Sequence, residues 1–105
     1  LVKALYLTAF ANVNLDTVDP EQPELVKGLY VPAFDQLIKI LNDKNAGGYV
    51  YTEDDISKLT DAYNQVGYYY ILKEDYPKAT EYFKNTLKVN PADETAQQMI
   101  EALQG

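Results

Sequence analysis

Between Asp43 and Asp54 the chain places oxygen-bearing side chains at spacings that suit a hard cation. Asp43, Asn45 and the terminal acid Asp54 are the side-chain candidates, and Tyr49 is a fourth candidate ligand. Gly48 supplies the turn and Val50 an apolar anchor. Calcium is held by several such oxygens brought together by a loop between two helices. A second possible chemistry is carboxylate catalysis. Glu53, Asp54, Asp55, Glu74, Asp75, Asp93 and Glu94 form acidic pairs and runs. A third would be nucleophilic attack by the only serine, Ser57.

Each has a plainer reading. The 43–54 segment resembles the EF-hand calcium loop, but Gly47 removes one side-chain oxygen, Asp54 is shorter than the usual bidentate Glu, and Tyr51 offers no direct ligand. A cation would be weakly held there. The alternative is a glycine-rich helix stop followed by a capped helix start. The acids cluster at expected helix starts and turns, where they pair with exposed N–H groups and the positive helix end. Ser57 has no imidazole to activate it, because the chain has no histidine and no cysteine. A Ser-His-Asp or Cys-His apparatus is therefore excluded, as is a cysteine-built zinc site. No enzymatic activity and no cofactor are expected.

The net charge of −7 repels phosphate backbones, and there is no lysine cluster to override it. Nucleic acid and anionic membrane surfaces are poor partners; neutral or basic peptides and proteins suit the charge better. No apolar run approaches the roughly 20 residues that span a bilayer. With 105 residues, a single domain can bury roughly 65% of its unfolded surface, enough for its own core. The chain opens at Leu1 inside an amphipathic run, so a piece of a longer protein is expected. Absence of cysteine fits both a reducing cytoplasm and a periplasm, and leaves the compartment open.

Helical periodicity organises the whole chain. Leu1, Leu5, Thr8, Ala9 and Val13 predict a helix over 1–13, followed by a polar loop with Asp19-Pro20 and Gln22-Pro23. Leu25, Leu29, Ala33, Leu37 and Leu41 recur every four residues and predict a long helix over 23–43. Pro32 inside it predicts a kink or break near Leu29–Pro32. Gly47-Gly48 ends it. Thr52, with Asp55 as reciprocal partner, predicts a capped start. Ile56, Leu59, Tyr63, Val66 and Tyr70 then give one stripe over about 54–73. Glu74-Asp75 is a turn, Pro77 suits the first turn of the next helix, and Ala79, Tyr82, Phe83, Thr86 and Leu87 form its buried face. Asn90-Pro91 stops it. Asp93 caps a last helix striped by Ala96, Met99, Ile100 and Leu103.

The most specific pattern lies in Thr60–Asp93: Tyr63-x2-Val66-Gly67-x2-Tyr70, then Tyr76-x2-Ala79-x3-Phe83, then Leu87 and Pro91. This resembles the tetratricopeptide repeat over about a third of the chain. Tyr63, Gly67, Tyr70, Ala79, Phe83 and Pro91 are the repeat lock. The departures are Tyr63 where the family often has Trp, Glu74 in place of the turn glycine, and Thr86 in place of a common Ala. An earlier copy is suggested by Tyr30-x2-Ala33-x3-Leu37-x3-Leu41, which repeats the spacing of Tyr76, Ala79, Phe83 and Leu87. Its offset implies an insertion at 14–29.

The resemblance implies an all-α fold of antiparallel helical hairpins, a short right-handed solenoid of about five helices. The same resemblance implies one domain over residues 1–105, a C-terminal piece of a longer repeat protein: a degenerate hairpin over 1–44, a repeat unit over 52–91 and a capping helix over 93–104. It implies a non-enzymatic interaction or assembly scaffold, with self-association as a further possibility at the apolar N-terminal edge. In the family the first helix of each repeat lines a concave groove. Mapped here, the peptide-binding positions are Asp61, Asn64, Tyr68 and Leu72, continued by Thr95 and Gln98 on the cap. Tyr68 points about 200° away from the stripe of Tyr70. It is either an aromatic anchor for a peptide or a packing residue against helix 23–43 or another repeat. The carboxylate-clamp pattern of one branch of the family is missing, since no cation stands near Asn64 and Tyr68. The alternatives to a scaffold are a weak calcium-dependent regulatory module at 43–54 and a purely structural segment of a larger protein.

Overall fold

The computed structural model describes residues 1–16 and 19–104 of the chain. Within them every regular element is helical: α1 (Val2–Leu15), a single 3-10 turn (Pro23–Leu25), α2 (Val31–Ala46), α3 (Glu53–Leu72), α4 (Tyr76–Val89) and α5 (Glu94–Gln104). The part of the expected 14–29 insertion at 17–18 lies outside the described residues. The principal extents are 42 × 31 × 18 Å. A helix with its side chains is about 10 Å across, so the short dimension admits two helix layers.

Local chemistry explains the boundaries. Thr52 Oγ1 accepts from the Asp55 N–H at 3.1 Å, and the Asp55 carboxylate accepts from the Thr52 N–H at 3.0 Å. This capping box closes two otherwise orphaned donors at the start of α3. Asp75 accepts from the Lys78 N–H at the start of α4, where Pro77 falls in the first turn. Asp93 accepts from the Ala96 N–H at 2.9 Å at the start of α5. Glu74, in the α3–α4 turn, has φ +61°, the left-handed region that glycine occupies without strain.

Helices α3 and α4 run antiparallel. Tyr70 stacks on Tyr82 (centroids 5.6 Å apart), Gly67 meets Phe83, and Asn64 bonds Thr86, so one index falls as the other rises. A Cβ built on Gly67 would stand 2.9 Å from two carbons of the Phe83 ring. Phe83 is completely buried, with Ala79 and Ala96 beside it. Gly67 is therefore the seat of an aromatic ring rather than a direct partner of Ala79. The second cluster joins α1, α2 and α3 through Ala9, Tyr30, Phe34, Leu37, Leu41, Leu59, Ala62, Tyr63 and Val66.

Two expectations fail in the α1–α2 half. A continuous helix over 23–43 is not formed: the chain breaks next to the expected Leu29–Pro32 position, and α2 starts only at Val31. Pro32 lies in the first turn of α2, where its missing N–H has no intrahelical role, so it starts a helix rather than kinking one. The chain ahead of it turns at Gly28, with φ +71°, and the Asp16 carboxylate accepts from the N–H groups of Lys27 (2.8 Å) and Gly28 (2.7 Å). Leu25 and Leu29 are exposed; Val26 and Tyr30 are the buried residues. The stripe on α1 is also shifted. Ala9 is buried and Leu5, Tyr6, Phe10 and Val13 pack against the core, whereas Leu1 and Thr8 are exposed. Leu7 and Leu15 are exposed as well, so α1 is apolar on both sides. The equal spacing of Tyr30 and Tyr76 does not give equal burial: Tyr30 is 0% exposed and Tyr76 48%.

Candidate functional site

The three consecutive tyrosines of α3 show how this helix is surrounded. Successive residues step by about 100°, so the three rings leave in three directions. Tyr70 stacks on Tyr82 of α4. Tyr69 reaches the α1–α2 half, edge-on to Tyr30 with centroids 6.2 Å apart, and lies where a Cβ on Gly28 would be, 2.4 Å from its nearest ring carbon. Tyr68 turns towards α5. It lines a groove of about 220 Å³ with Asn64, Gln65, Phe83, Thr95 and Met99. Tyr68 is half-buried and its hydroxyl makes no hydrogen bond among the described residues. Tyr69 is the ring that packs on Tyr30 at the start of α2, and the Tyr68 hydroxyl also acts electrostatically on that of Tyr30.

Asn64, Tyr68 and Thr95 are thus brought together, and Asn64 has a structural task besides. Its amide donates to Asp93 Oδ2 at 3.0 Å, and its oxygen accepts from the Thr86 hydroxyl at 2.8 Å. One side chain ties α3 to α4 and to the cap of α5. Thr86 in place of a small apolar residue is explained by that bond. Leu72 does not line the groove; it is 7% exposed and part of the interior. Gln98 is exposed and also outside the groove wall.

Asp61 lies further along the same face of α3. Its Oδ2 accepts from the Tyr6 hydroxyl of α1 at 2.7 Å. That bond, with burial and the charges of Asp61 and Asp54, pushes the Tyr6 pKa up to about 12. Lys58 pairs with Asp54 and lies over the Tyr6 ring, 5.3 Å from its centroid. Asp61 also lines a second groove of about 290 Å³ with Glu53, Ile56, Ser57, Thr60 and Asn90. At about 100° per residue, positions 53, 56, 57, 60, 61, 64, 65 and 68 all fall within one half of the α3 circumference. The two grooves are neighbours on one face, flanked by α1 and α5.

The segment 43–54 does not form a twelve-residue calcium loop. Helix α2 continues to Ala46, so Asp43 and Asn45 are helical, and only 47–52 connect α2 to α3. Asp43 pairs with Lys39 at 2.7 Å, Asp54 pairs with Lys58, and the Asn45 amide donates to the Tyr49 carbonyl at 2.9 Å. The Tyr49 hydroxyl donates to Asp55 at 2.6 Å. Among the described residues no group of three or more Asp, Glu, His or Cys could hold a metal ion. The Gly47-Gly48 stop and the Thr52 cap account for the segment.

A larger hollow, about 550 Å³, lies between the end of α2 and α4, lined by residues including Asn42, Tyr51, Tyr63, Asn85 and Lys88. Along one wall Asn42, Tyr51 and Tyr63 form a hydrogen-bonded seam, whereas Asn85 and Lys88 make no side-chain hydrogen bond among the described residues. Tyr51 donates to Asn42 at 2.8 Å, and Asn42 donates to Tyr63 at 3.2 Å. The smaller α3–α5 groove instead presents Tyr68, Met99 and Thr95 without mutual hydrogen bonds among the described residues. No helix of the described residues is long and apolar enough to cross a membrane.

No family model, curated protein or solved structure matches the chain.

Proposed function

We propose that the chain is a non-enzymatic interaction module of the tetratricopeptide kind, holding an extended stretch of a partner protein against α3 between α1 and α5. The observation that carries this reading is the groove of Asn64, Gln65, Tyr68, Phe83, Thr95 and Met99. A half-buried aromatic ring over an apolar floor is the kind of anchor that dominates binding energy at interfaces. Support comes from the walls. The ring of Phe83 seated on Gly67 fixes α4 against α3, and the Asn64–Asp93 bond fixes α5. A groove with fixed walls loses less conformational freedom when a peptide enters. The acidic balance of the chain favours neutral or basic segments.

The test is selection of peptides from a random displayed library against the intact chain, followed by measurement of their affinity for Tyr68→Ala. Loss of an aromatic anchor should weaken binding by about tenfold or more, measured at a temperature where Tyr68→Ala and the parent chain have equal helicity, since the partly buried ring also contributes to stability. Peptides that bind Tyr68→Ala as well as the parent chain would refute the groove.

A further inference from the structure

The two adjoining grooves differ in chemistry. The one at Tyr68 is walled by Phe83 and Met99 and carries no charged residue. The one at Ser57 carries two carboxylates, Glu53 and Asp61, with Ser57, Thr60 and Asn90 between them. Neither carboxylate has a cation within the 4 Å of an ion pair among the described residues; the two ion pairs there are Lys39–Asp43 and Lys58–Asp54. Asp61 receives the Tyr6 hydroxyl on Oδ2, and Oδ1 has no hydrogen-bond partner among the described residues. Lys58, the nearest lysine in sequence, is engaged by Asp54 and the Tyr6 ring instead. Asp61 is met by the Tyr6 hydroxyl and Glu53 by the start of α3, but no lysine pairs with either carboxylate beside the apolar slot.

The separation of the grooves follows from the helix that carries both. Ser57 lines one and Gln65 the other, eight positions apart on α3, which is about 12 Å along the helix axis at about 1.5 Å rise per residue. An extended peptide advances about 3.3 Å per residue and turns the same side back every second residue. Positions i and i+4 of such a peptide are therefore about 13 Å apart and face the same way.

We infer that the α3 face selects an extended segment carrying an apolar residue and a lysine or arginine four positions apart, the apolar side chain entering beside Tyr68 and Met99 and the cation between Glu53 and Asp61. This rests on the groove reading above and adds the chemistry and spacing of what enters it. The selectivity is expected to weaken with salt, because the carboxylates face solvent.

The experiment uses an arrayed library of capped alanine–serine peptides carrying one Leu and one Arg at every separation and in both orders, probed with the labelled intact chain. Parallel probes are Glu53→Gln/Asp61→Asn and Tyr68→Ala, each checked for unchanged helicity. Capture should peak at a separation of four in one order, and replacing Arg by Ala should reduce it about fivefold, the scale of a solvent-exposed ion pair. The Glu53→Gln/Asp61→Asn chain should lose that preference while still retaining Leu-dependent capture. Capture that depends on Leu and Tyr68 but ignores Arg or the separation overturns the cation site and leaves the groove standing. No Tyr68-dependent capture on any peptide overturns both.

Discussion

Gly67 and Gly28 do the same thing in different halves of the molecule. Each leaves room for an aromatic ring: Phe83 on Gly67 within α3–α4, and Tyr69 on Gly28 between α3 and the segment leading into α2. The settings differ. Gly67 has ordinary helical backbone and faces a ring with no exposed surface, whereas Gly28 has φ +71° and faces a half-buried ring. Gly67 is a packing device, because a Cβ there would meet the buried Phe83 ring at 2.9 Å. Gly28 is a backbone device as well, because its conformation disfavours any side chain. The α3–α5 half is thus held by close packing and local caps. The α1–α2 half has its own buried cluster, and the turn that leads into α2 is bonded from a distance by Asp16.

Substitutions at the two glycines should separate these mechanisms. Gly67→Leu should have the largest effect, a destabilisation of about 3 kcal/mol or more from overpacking against Phe83, read as a fall in the denaturant midpoint. Gly28→Ala should cost about 2 kcal/mol, part from the left-handed backbone and part from displacing Tyr69. In a Tyr69→Ala background the same substitution should cost only about 1 kcal/mol, the backbone share. Equal cost in both backgrounds would show that the ring moves aside freely.

A smaller effect connects the two halves through Tyr82, which donates to Asp35 of α2 at 2.9 Å. Burial raises the Asp35 pKa, opposed by that bond and by Lys78. A raised carboxylate keeps its proton in the folded state at pH values where the unfolded chain has lost it. The penalty is therefore absent below the unfolded aspartate range and full above the folded pKa. Tyr82→Phe should cost about 1 kcal/mol at neutral pH, and the deficit should shrink as pH falls through that window. A deficit that is flat with pH would remove Asp35 from the account. The smallest effect has the opposite sign. Glu74→Gly should stabilise by a little under about 1 kcal/mol, relieving φ +61° at the α3–α4 turn against the entropy of an added glycine.

The same contrast explains what the sequence discloses. The capping box at Thr52 and Asp55, the starts at Asp75 and Asp93, and the burial of Gly67 and Phe83 are readable because their partners lie within one hairpin. The spacing of Leu25, Leu29 and Ala33 misleads because a four-residue repeat of apolar residues runs on through a turn in which the first two face solvent. What sets that turn is the Asp16 carboxylate, eleven and twelve residues earlier. At the groove, Tyr68 and Thr95 are reached through the repeat resemblance, and they line one groove. Leu72 does not, because its burial depends on the tertiary packing around the last turn of α3. The structural duty of Asn64 was hidden for a similar reason, since Thr86 and Asp93 lie 22 and 29 residues away. The spacing at 43–54 fits a calcium loop only if α2 stops at Asp43, and it runs three residues further.

The most direct test of the central claim is a titration of the isotope-labelled chain with a library-selected peptide, followed by amide chemical shifts. The account predicts that the shifts move first at Asn64, Gln65, Tyr68, Thr95 and Met99, the residues that wall the α3–α5 groove with Phe83. Shifts confined to the exposed face of α1 around Leu7 and Leu15, or to the Asn42–Tyr51–Tyr63 seam, would contradict it.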